Sequence, residues 1–294
     1  MSFLDHIAAA NRCNPSHFRP LRVDGQRVGF ITQVVADVLQ DWPTVFRVGA
    51  EAIELSPELA AASAQTRTEA IAEVARALHR AGLTASHWWD EPYAVNTYFG
   101  ESPRFVLERG VIQTFGVCGY GVHMNGFVRT PQGLQMWIAR RALNKPSSPG
   151  KLDQLVAGGQ PAGISLRDNM IKECAEEAAI PAALAGQAQV VSAVSYCLET
   201  EQGLRPDVLY CFDLELPPDF EPRNTDGEVE AFYLWPVEQV LERVCNSTDF
   251  KFNCALVIID FLVRHGYLDP EDRDYLAIVA GLRQREVLLE QFPK

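Results

Sequence analysis

The stretch that decides the fold reads Val156-Ala157-Gly158-Gly159-Gln160-Pro161-Ala162-Gly163-Ile164-Ser165 and, after six further residues, Lys172-Glu173-Cys174-Ala175-Glu176-Glu177-Ala178-Ala179-Ile180. This pattern predicts a glycine-rich turn that leads into a short helix. Ser165 is the predicted N-cap, and Asp168, three residues on, is expected to complete a capping box. Pro181 is expected to end the helix, because proline cannot continue the backbone hydrogen-bond ladder.

The polar side of this helix carries Glu173, Glu176 and Glu177 at positions i, i+3 and i+4. Residues at this spacing are neighbours within an arc of roughly 100° on an α-helix. Carboxylates that close repel each other, and a hard cation such as Mg²⁺ or Mn²⁺ would turn the repulsion into coordination. An ordinary solvated face of an amphipathic helix is the alternative, and the acids alone leave it open.

The same residues resemble the signature of the Nudix (MutT-like) hydrolases, in which Gly, five residues, Glu and seven residues precede Arg-Glu-apolar-any-Glu-Glu-any-Gly-apolar. Gly158 takes the first position, and Glu173, Glu176 and Glu177 take the last three acidic ones. The chain departs from the signature with Ile164 for Glu, Lys172 for Arg and Ala179 for Gly. The resemblance implies that the three retained glutamates carry Mg²⁺, and that the acid missing at position 164 is dispensable or replaced.

The resemblance extends beyond this box to residues 115–126, 137–141, 226–230 and 251–256. These segments look like one Nudix subgroup, which is found fused to fungal thiamine pyrophosphokinases and as stand-alone yeast, plant and bacterial relatives. That subgroup also has an N-terminal domain of unknown function. The resemblance covers nearly the whole chain. It implies hydrolysis of thiamine diphosphate analogues, above all oxothiamine and oxythiamine diphosphate, to the monophosphate.

Short strand-like runs and helices along the chain predict an α/β (α+β) fold. We expect a smaller α+β domain of unknown role at 1–110 and a second domain at 111–294. Helices are predicted at 66–81 and 253–265, each followed by glycine, and Asp24-Gly25 predicts a hairpin turn within 21–31. The resemblance implies that the second domain is a Nudix α/β/α sandwich with a mixed sheet.

The chain is acidic, with a formal net charge of −12. This charge argues against nucleic acids and anionic membranes as partners, because both carry charge of the same sign. The seven cysteines show no C-x-x-C spacing, which favours free thiols in a reducing compartment. No secretory signal and no apolar run of the ~20 residues that span a bilayer is recognisable, so we expect a cytoplasmic protein.

Two further glutamates are candidates for the site. Glu228 and Glu230 lie just before and within a predicted strand, and period-two alternation could place them on one face. Nudix enzymes use a late glutamate as metal ligand or base, so either residue could replace the acid missing at Ile164. An acidic turn beside a strand is the structural alternative, and the sequence leaves it open.

Basic and aromatic residues are candidates for substrate binding. Arg140, Arg141 and Lys151 surround the loop before the box and could hold phosphates, together with the backbone of Gly158 and Gly159. Surface solubility is the alternative for the basic residues. The aromatic side chains that could stack on a base, or simply pack in the core, are Trp88, Trp89, Tyr93, Phe115 and Tyr120.

The expected function is that of a Mg²⁺-dependent pyrophosphohydrolase acting on a small phosphorylated molecule, with Mn²⁺ able to substitute. ADP-ribose or another nucleoside diphosphate is the alternative substrate. A non-catalytic Nudix-fold module that only binds a phosphorylated ligand is the alternative from another class, and Ile164 motivates it. The first domain could cover the pocket or mediate a homodimer, and the sequence does not decide between these roles.

Overall fold

The first part of the chain folds around a small sheet, and the computed structural model describes residues 2–292. Its elements are α1 (Phe3–Ala10), β1 (Phe18–Val23), β2 (Gln26–Thr32), α2 (Gln33–Leu39), β3 (Phe46–Val48), β4 (Ile53–Leu55), α3 (Pro57–Ala60), α4 (Ala64–Arg80), β5 (Pro92–Val95) and β6 (Phe105–Glu108). The sheet has the order β2-β1-β4-β3, in which β1 is antiparallel to β2 and parallel to β4. Strands β5 and β6 form a separate antiparallel hairpin.

The predicted local signals of this part are confirmed. Asp24 and Gly25 form the turn between β1 and β2 with φ of 53° and 74°, a conformation that Asp and Gly tolerate better than other residues. Helix α4 begins two residues earlier than the prediction at 66, because the hydroxyl of Ser63 accepts a hydrogen bond from the Thr66 backbone N–H at 3.2 Å.

The second part is built on a larger mixed sheet. Its elements are β7 (Tyr120–Thr130), β8 (Gly133–Arg141), β9 (Leu152–Gln154), β10 (Val156–Gly159), α5 (Leu166–Ala178), α6 (Ala182–Ala185), β11 (Gln189–Ser195), β12 (Leu198–Thr200), β13 (Gly203–Arg205), β14 (Val208–Glu215), β15 (Val229–Pro236), α7 (Val237–Asn246), α8 (Phe252–Arg264), α9 (Tyr275–Gly281) and α10 (Arg285–Leu289). The main strand order is β11-β14-β7-β8-β15, while β10 pairs with β7 and β9 pairs with β8. Strands β14 and β7 run parallel, and the other pairs are antiparallel.

Helices cover both faces of this sheet. On one face Val122 and Met124 of β7 share a core with Cys174 of α5. On the other face Phe127 of β7 and Cys211 of β14 share a core with α7 and α8. Successive side chains of a strand point to opposite faces, so the sequence of the strands sets this three-layer arrangement. The predicted mixed α+β fold with helices on both sides of a mixed sheet is confirmed.

Both ends of the described chain pack across the boundary predicted at residue 110. Ile7 and Ala10 of α1 belong to the same core as α8 and contact α9. Near the other end, the rings of Phe292 and Phe30 lie 4.5 Å apart between centroids. The division into 1–110 and 111–294 stays a prediction. Among residues 2–292, no helix has the length and apolar character needed to cross a bilayer.

Candidate active site

Helix α5 has the bounds and the caps that the sequence predicts, with one difference. The Ser165 hydroxyl accepts a hydrogen bond from the Asp168 N–H at 3.1 Å. The Asp168 carboxylate binds the Ser165 hydroxyl at 2.6 Å rather than the Ser165 backbone N–H, so the predicted capping box is only half formed. The helix ends at Ala178, and Ala179 takes the left-handed conformation with φ of 54° where the signature has glycine.

The three glutamates of α5 do not lie on one exposed face. Glu173 and Glu177 are buried, whereas the side chain of Glu176 is 49% exposed. Glu177 turns toward β10, where its Oε2 accepts a hydrogen bond from the Ala157 N–H at 2.8 Å. The Lys172 ammonium lies between the other two acids, 3.2 Å from Glu173 Oε1 and 2.8 Å from Glu176 Oε2.

Burial is the main influence on the ionisation of the two inner acids. It raises the pKa of Glu173, and the neighbouring Lys172 opposes this rise. Burial also raises the pKa of Glu177 well above its usual value, and the charges of Glu173, Asp153 and Glu228 raise it further. Within residues 2–292, Glu177 has no salt-bridge partner. A buried acid among like charges and without its own cation suits a divalent ion with oxygen ligands.

Glu228 and Glu230, the two candidate acids near β15, have different neighbours. Glu228 forms an ion pair with Lys145, and its charge acts on Glu177. Glu230 pairs with Arg140 at 3.4 Å. A bulge between Val229 and Ala231 breaks the simple alternation that would have kept the two acids on one face. Of the two residues, it is therefore Glu228 whose charge influences an acid of α5, namely Glu177.

The predicted substrate-binding residues separate into two groups. Gly158 and Gly159 line a cavity of about 410 Å³ between the two parts of the chain. Arg140, Arg141 and Lys151 are not among the residues that line it. Arg141 is buried and donates to Asp153 and to the carbonyls of the loop at Ser147 and Ser148, while Lys151 donates to the Thr248 carbonyl. Their role in substrate binding stays a prediction.

The glycines of β10 are explained by what lies on either side of that strand. A Cβ built on Gly158 would overlap the carboxyl group of Glu173. A Cβ built on Gly159 would overlap the Tyr93 hydroxyl, which comes from β5 in the first part of the chain. Strand β10 thus runs between Glu173 and the hairpin β5–β6, and a side chain at either glycine would force one of these neighbours to move.

The cavity also contains residues that the sequence patterns did not single out as a site. The cationic ones are Arg109, Arg205 and Lys251. Arg205 belongs to the second part of the chain and pairs with Asp207 at 2.7 Å. Of the aromatic candidates, Trp89, Tyr93 and Tyr120 line the cavity, whereas Phe115 is buried in the core of the first part. The cationic residues are far apart in the sequence, so their spacing carries no signal.

A buried polar network lies beside the cavity. His123, Asp153 and Cys254 bring potential metal-ligating atoms within 4.8 Å of one another. However, these groups already have partners: Cys254 Sγ lies 2.6 Å from Asp153 Oδ1, His123 Nδ1 lies 2.7 Å from Gln154 Oε1, and Arg141 Nη1 lies 2.7 Å from Asp153 Oδ2. Burial lowers the pKa of His123 to about 4, with a smaller contribution from Lys251. The arrangement is that of a satisfied structural network.

Two proteins of Arabidopsis thaliana are similar to this chain over most of its length. "Nudix hydrolase 20, chloroplastic" is 41% identical over 288 residues, which cover 94% of this chain and 77% of the relative. "Nudix hydrolase 24, chloroplastic" is 40% identical over 286 residues, which cover 96% of this chain and 77% of the relative. The family described as a domain of unknown function, DUF4743, matches residues 2–119.

Among solved structures, the NUDIX domain of Shewanella oneidensis NrtR complexed with ADP ribose resembles part of the chain. It is 16% identical, with a TM-score of 0.40, and the match covers 52% of this chain and 91% of that one.

Proposed function

The chain belongs to the Nudix hydrolase family, and from that premise we propose that it hydrolyses the diphosphate of a small organic molecule with the help of a divalent ion held by Glu173, Glu176 and Glu177. The observation that carries the proposal is the position of Glu177. It is buried, it is surrounded by the charges of other acids, and it has no cationic partner in the described part of the chain.

In this proposal the two inner glutamates are the principal ligands, and Glu176 completes the set from the exposed side. An ion bound there, Mg²⁺ or Mn²⁺, would neutralise phosphate oxygens and lower the pKa of a water molecule. Glu228 is the proposed proton acceptor for that water, because its charge acts on Glu177. Glu230 is the weaker candidate, because its charge is not among the main influences on the pKa of Glu177.

The specific substrate in the proposal is a thiamine diphosphate analogue, such as oxothiamine or oxythiamine diphosphate, and the product is its monophosphate. The support for this choice is the resemblance in residues 115–126 and 251–256 to the subgroup associated with thiamine pyrophosphokinases. A nucleoside diphosphate such as ADP-ribose is the second candidate. A turnover panel of both thiamine analogues, thiamine diphosphate and ADP-ribose separates them, and the highest kcat/KM on ADP-ribose would overturn the thiamine assignment.

The test of the metal site is Glu177→Gln, which keeps the size of the side chain and removes its charge. We expect kcat/KM to fall by on the order of 10³-fold, because the buried ligand is lost while the hydrogen bond from Ala157 can persist. Glu242→Gln on the exposed side of α7 is the matched control and is expected to leave turnover unchanged. A loss of less than tenfold in Glu177→Gln would contradict the role given to this residue.

A non-catalytic binding module is the second candidate function, and two observations favour it: Ile164 replaces an acid of the signature, and Lys172 bridges two of the remaining acids. Calorimetry and phosphate release distinguish the two functions. Binding of a diphosphate without metal, with no turnover of any substrate in the panel, would support the binding module. We propose a cytoplasmic location and no nucleic-acid or membrane partner; a homodimer stays a prediction.

A further inference from the structure

The hairpin β5–β6 of the first part docks directly on the glycine-rich turn of the second part. The Ala162 N–H donates a hydrogen bond to the Pro92 carbonyl at 2.7 Å. The Tyr93 hydroxyl lies against the Cα of Gly159, where no side chain would fit. The hairpin therefore forms one wall of the cavity, and β10, whose Gly158 lies against Glu173, forms another.

Arg109, which follows β6, is held in this wall by its surroundings. The Glu108 carboxylate accepts hydrogen bonds from the backbone N–H groups of Trp89 at 2.7 Å and Glu91 at 3.1 Å, so it ties the two edges of the hairpin together. The Arg109 guanidinium carbon lies 5.3 Å from the centre of the Trp89 ring, and its Nη1 donates to Glu91 Oε2 at 2.8 Å. These contacts fix the orientation of the guanidinium before any ligand binds.

The guanidinium keeps most of its hydrogen-bonding capacity free. It carries five N–H donors, and within residues 2–292 Glu91 is its one side-chain partner. The side chain is 38% exposed and lines the cavity. Its guanidinium carbon would lie 3.6 Å from a Cβ built on Gly159, so it is adjacent to the strand that borders Glu173.

The second part of the chain adds two cationic side chains to the lining of the cavity, each beside an acid. Arg205 donates to Asp207 through Nε and Nη2, and Lys251 lies 3.9 Å from Asp153, its nearest ion-pair partner. Three cationic side chains thus converge on one cavity in a chain whose net charge is −12. A planar guanidinium with free donors at the edge of such a cavity suits bidentate binding of a phosphate group.

We propose that Arg109, supplied by the first part of the chain, binds the diphosphate of the substrate in this cavity, with Trp89 and Glu91 as its positioning residues. This inference rests on the proposed function and gives the N-terminal part a direct role in the site. The ligand class is an organic diphosphate, and Arg109 contacts its phosphate oxygens.

The test titrates the full-length chain with inorganic pyrophosphate by calorimetry in the absence of divalent ions. In Arg109→Gln we expect Kd to rise at least about tenfold, the loss typical of a hydrogen-bonded charge pair. Arg109→Lys, which keeps the charge but not the planar fork, should lose less. Arg129→Gln is the matched control, because Arg129 is 61% exposed and forms a long ion pair with Glu215 at 3.6 Å.

A second readout is the kinetics on the best substrate of the panel, where Arg109→Gln should raise KM while kcat changes less than about threefold. A Kd for Arg109→Gln within twofold of the wild type, with an unchanged melting temperature, would overturn the inference. Pyrophosphate binding that depends on Arg109 in a chain without turnover would leave the inference standing and remove the proposed hydrolysis. If Arg109→Gln does not affect turnover, the proposed hydrolysis stands and the inference about Arg109 fails.

Discussion

Among single residues, Gly159 is a case in which tertiary packing explains why the sequence has glycine. The sequence predicts that Gly159 belongs to a glycine-rich turn, but the residue lies in strand β10, where the Tyr93 hydroxyl occupies the space of a side chain. The requirement comes from close approach between the two parts of the chain, and no residue near Gly159 in the sequence reveals it.

We expect Gly159→Ala to lower the free energy of unfolding by about 2 kcal/mol, because the added methyl group overpacks the contact with Tyr93. Tyr93→Phe removes the overlapping oxygen, so in that background the cost of Gly159→Ala should fall by about 1 kcal/mol. Urea unfolding of the four chains of this double-mutant cycle measures the difference. An equal cost in both backgrounds would mean that Tyr93 does not impose the glycine.

The buried His123 predicts a pH dependence of stability. Burial lowers its folded pKa to about 4, so between pH 6.5 and 4 the unfolded chain binds a proton that the folded chain does not. This contribution to stability is fully present above pH 6.5 and is lost as the pH falls.

Between pH 7.5 and 5.0 we therefore expect His123 to account for a loss of about 2 kcal/mol in the free energy of unfolding. Chemical denaturation at the two pH values should show a smaller loss in His123→Gln than in the wild type. His87→Gln, at an exposed position, is the control and should keep the wild-type difference. If His123→Gln has the same pH dependence as the wild type, the group responsible lies elsewhere.

At the scale of elements, helix α5 was predictable because its signals are local. Its apolar side, its N-cap and the proline that follows it lie within a single stretch, and the observed bounds agree with them. The orientation of its acids was less predictable. Glu177 lies against β10 and Glu176 faces outward, and this difference depends on the strand that packs beside the helix.

The end of α5 carries a strained residue that can be relieved. Ala179 adopts the left-handed conformation with φ of 54°, which costs an alanine about 1 kcal/mol relative to glycine. We expect Ala179→Gly to raise the free energy of unfolding by about 0.5–1 kcal/mol. Ala175→Gly, at an exposed position inside the same helix, should lower it by about 1 kcal/mol. Thermal unfolding of both variants tests whether one substitution stabilises the chain and the other destabilises it. Destabilisation by Ala179→Gly would contradict the argument.

At the scale of the whole molecule, the terminal segments join the two parts of the chain. Helix α1 lies near the start of the sequence but packs in the core of α8, and the ring of Phe292 near the other end contacts that of Phe30 in β2 at a tilted angle. These contacts make the stability of the second part depend on residues outside 111–294.

We expect Ile7→Ala to lower the free energy of unfolding by about 2–4 kcal/mol, because Ile7 is 5% exposed and contacts Gly281 of α9 closely. Hydrogen exchange should show the loss in α8 and α9 as well as in α1. Leu276→Ala, at a side chain that is 77% exposed, is the control and should stay within about 0.5 kcal/mol of the wild type. Faster exchange confined to α1 would show that the first helix is dispensable for the second part.

The bounds of α5 and the spacing of its three glutamates follow from the sequence, because helix periodicity, caps and spacing are properties of neighbouring residues. The packing of whole elements, by contrast, brings together the side chains that line the cavity beside β10. Arg109, Arg205 and Lys251 meet in one cavity only because the hairpin β5–β6 docks on β10. Contacts of that kind depend on how whole elements pack, and the distance between residues along the chain does not encode them.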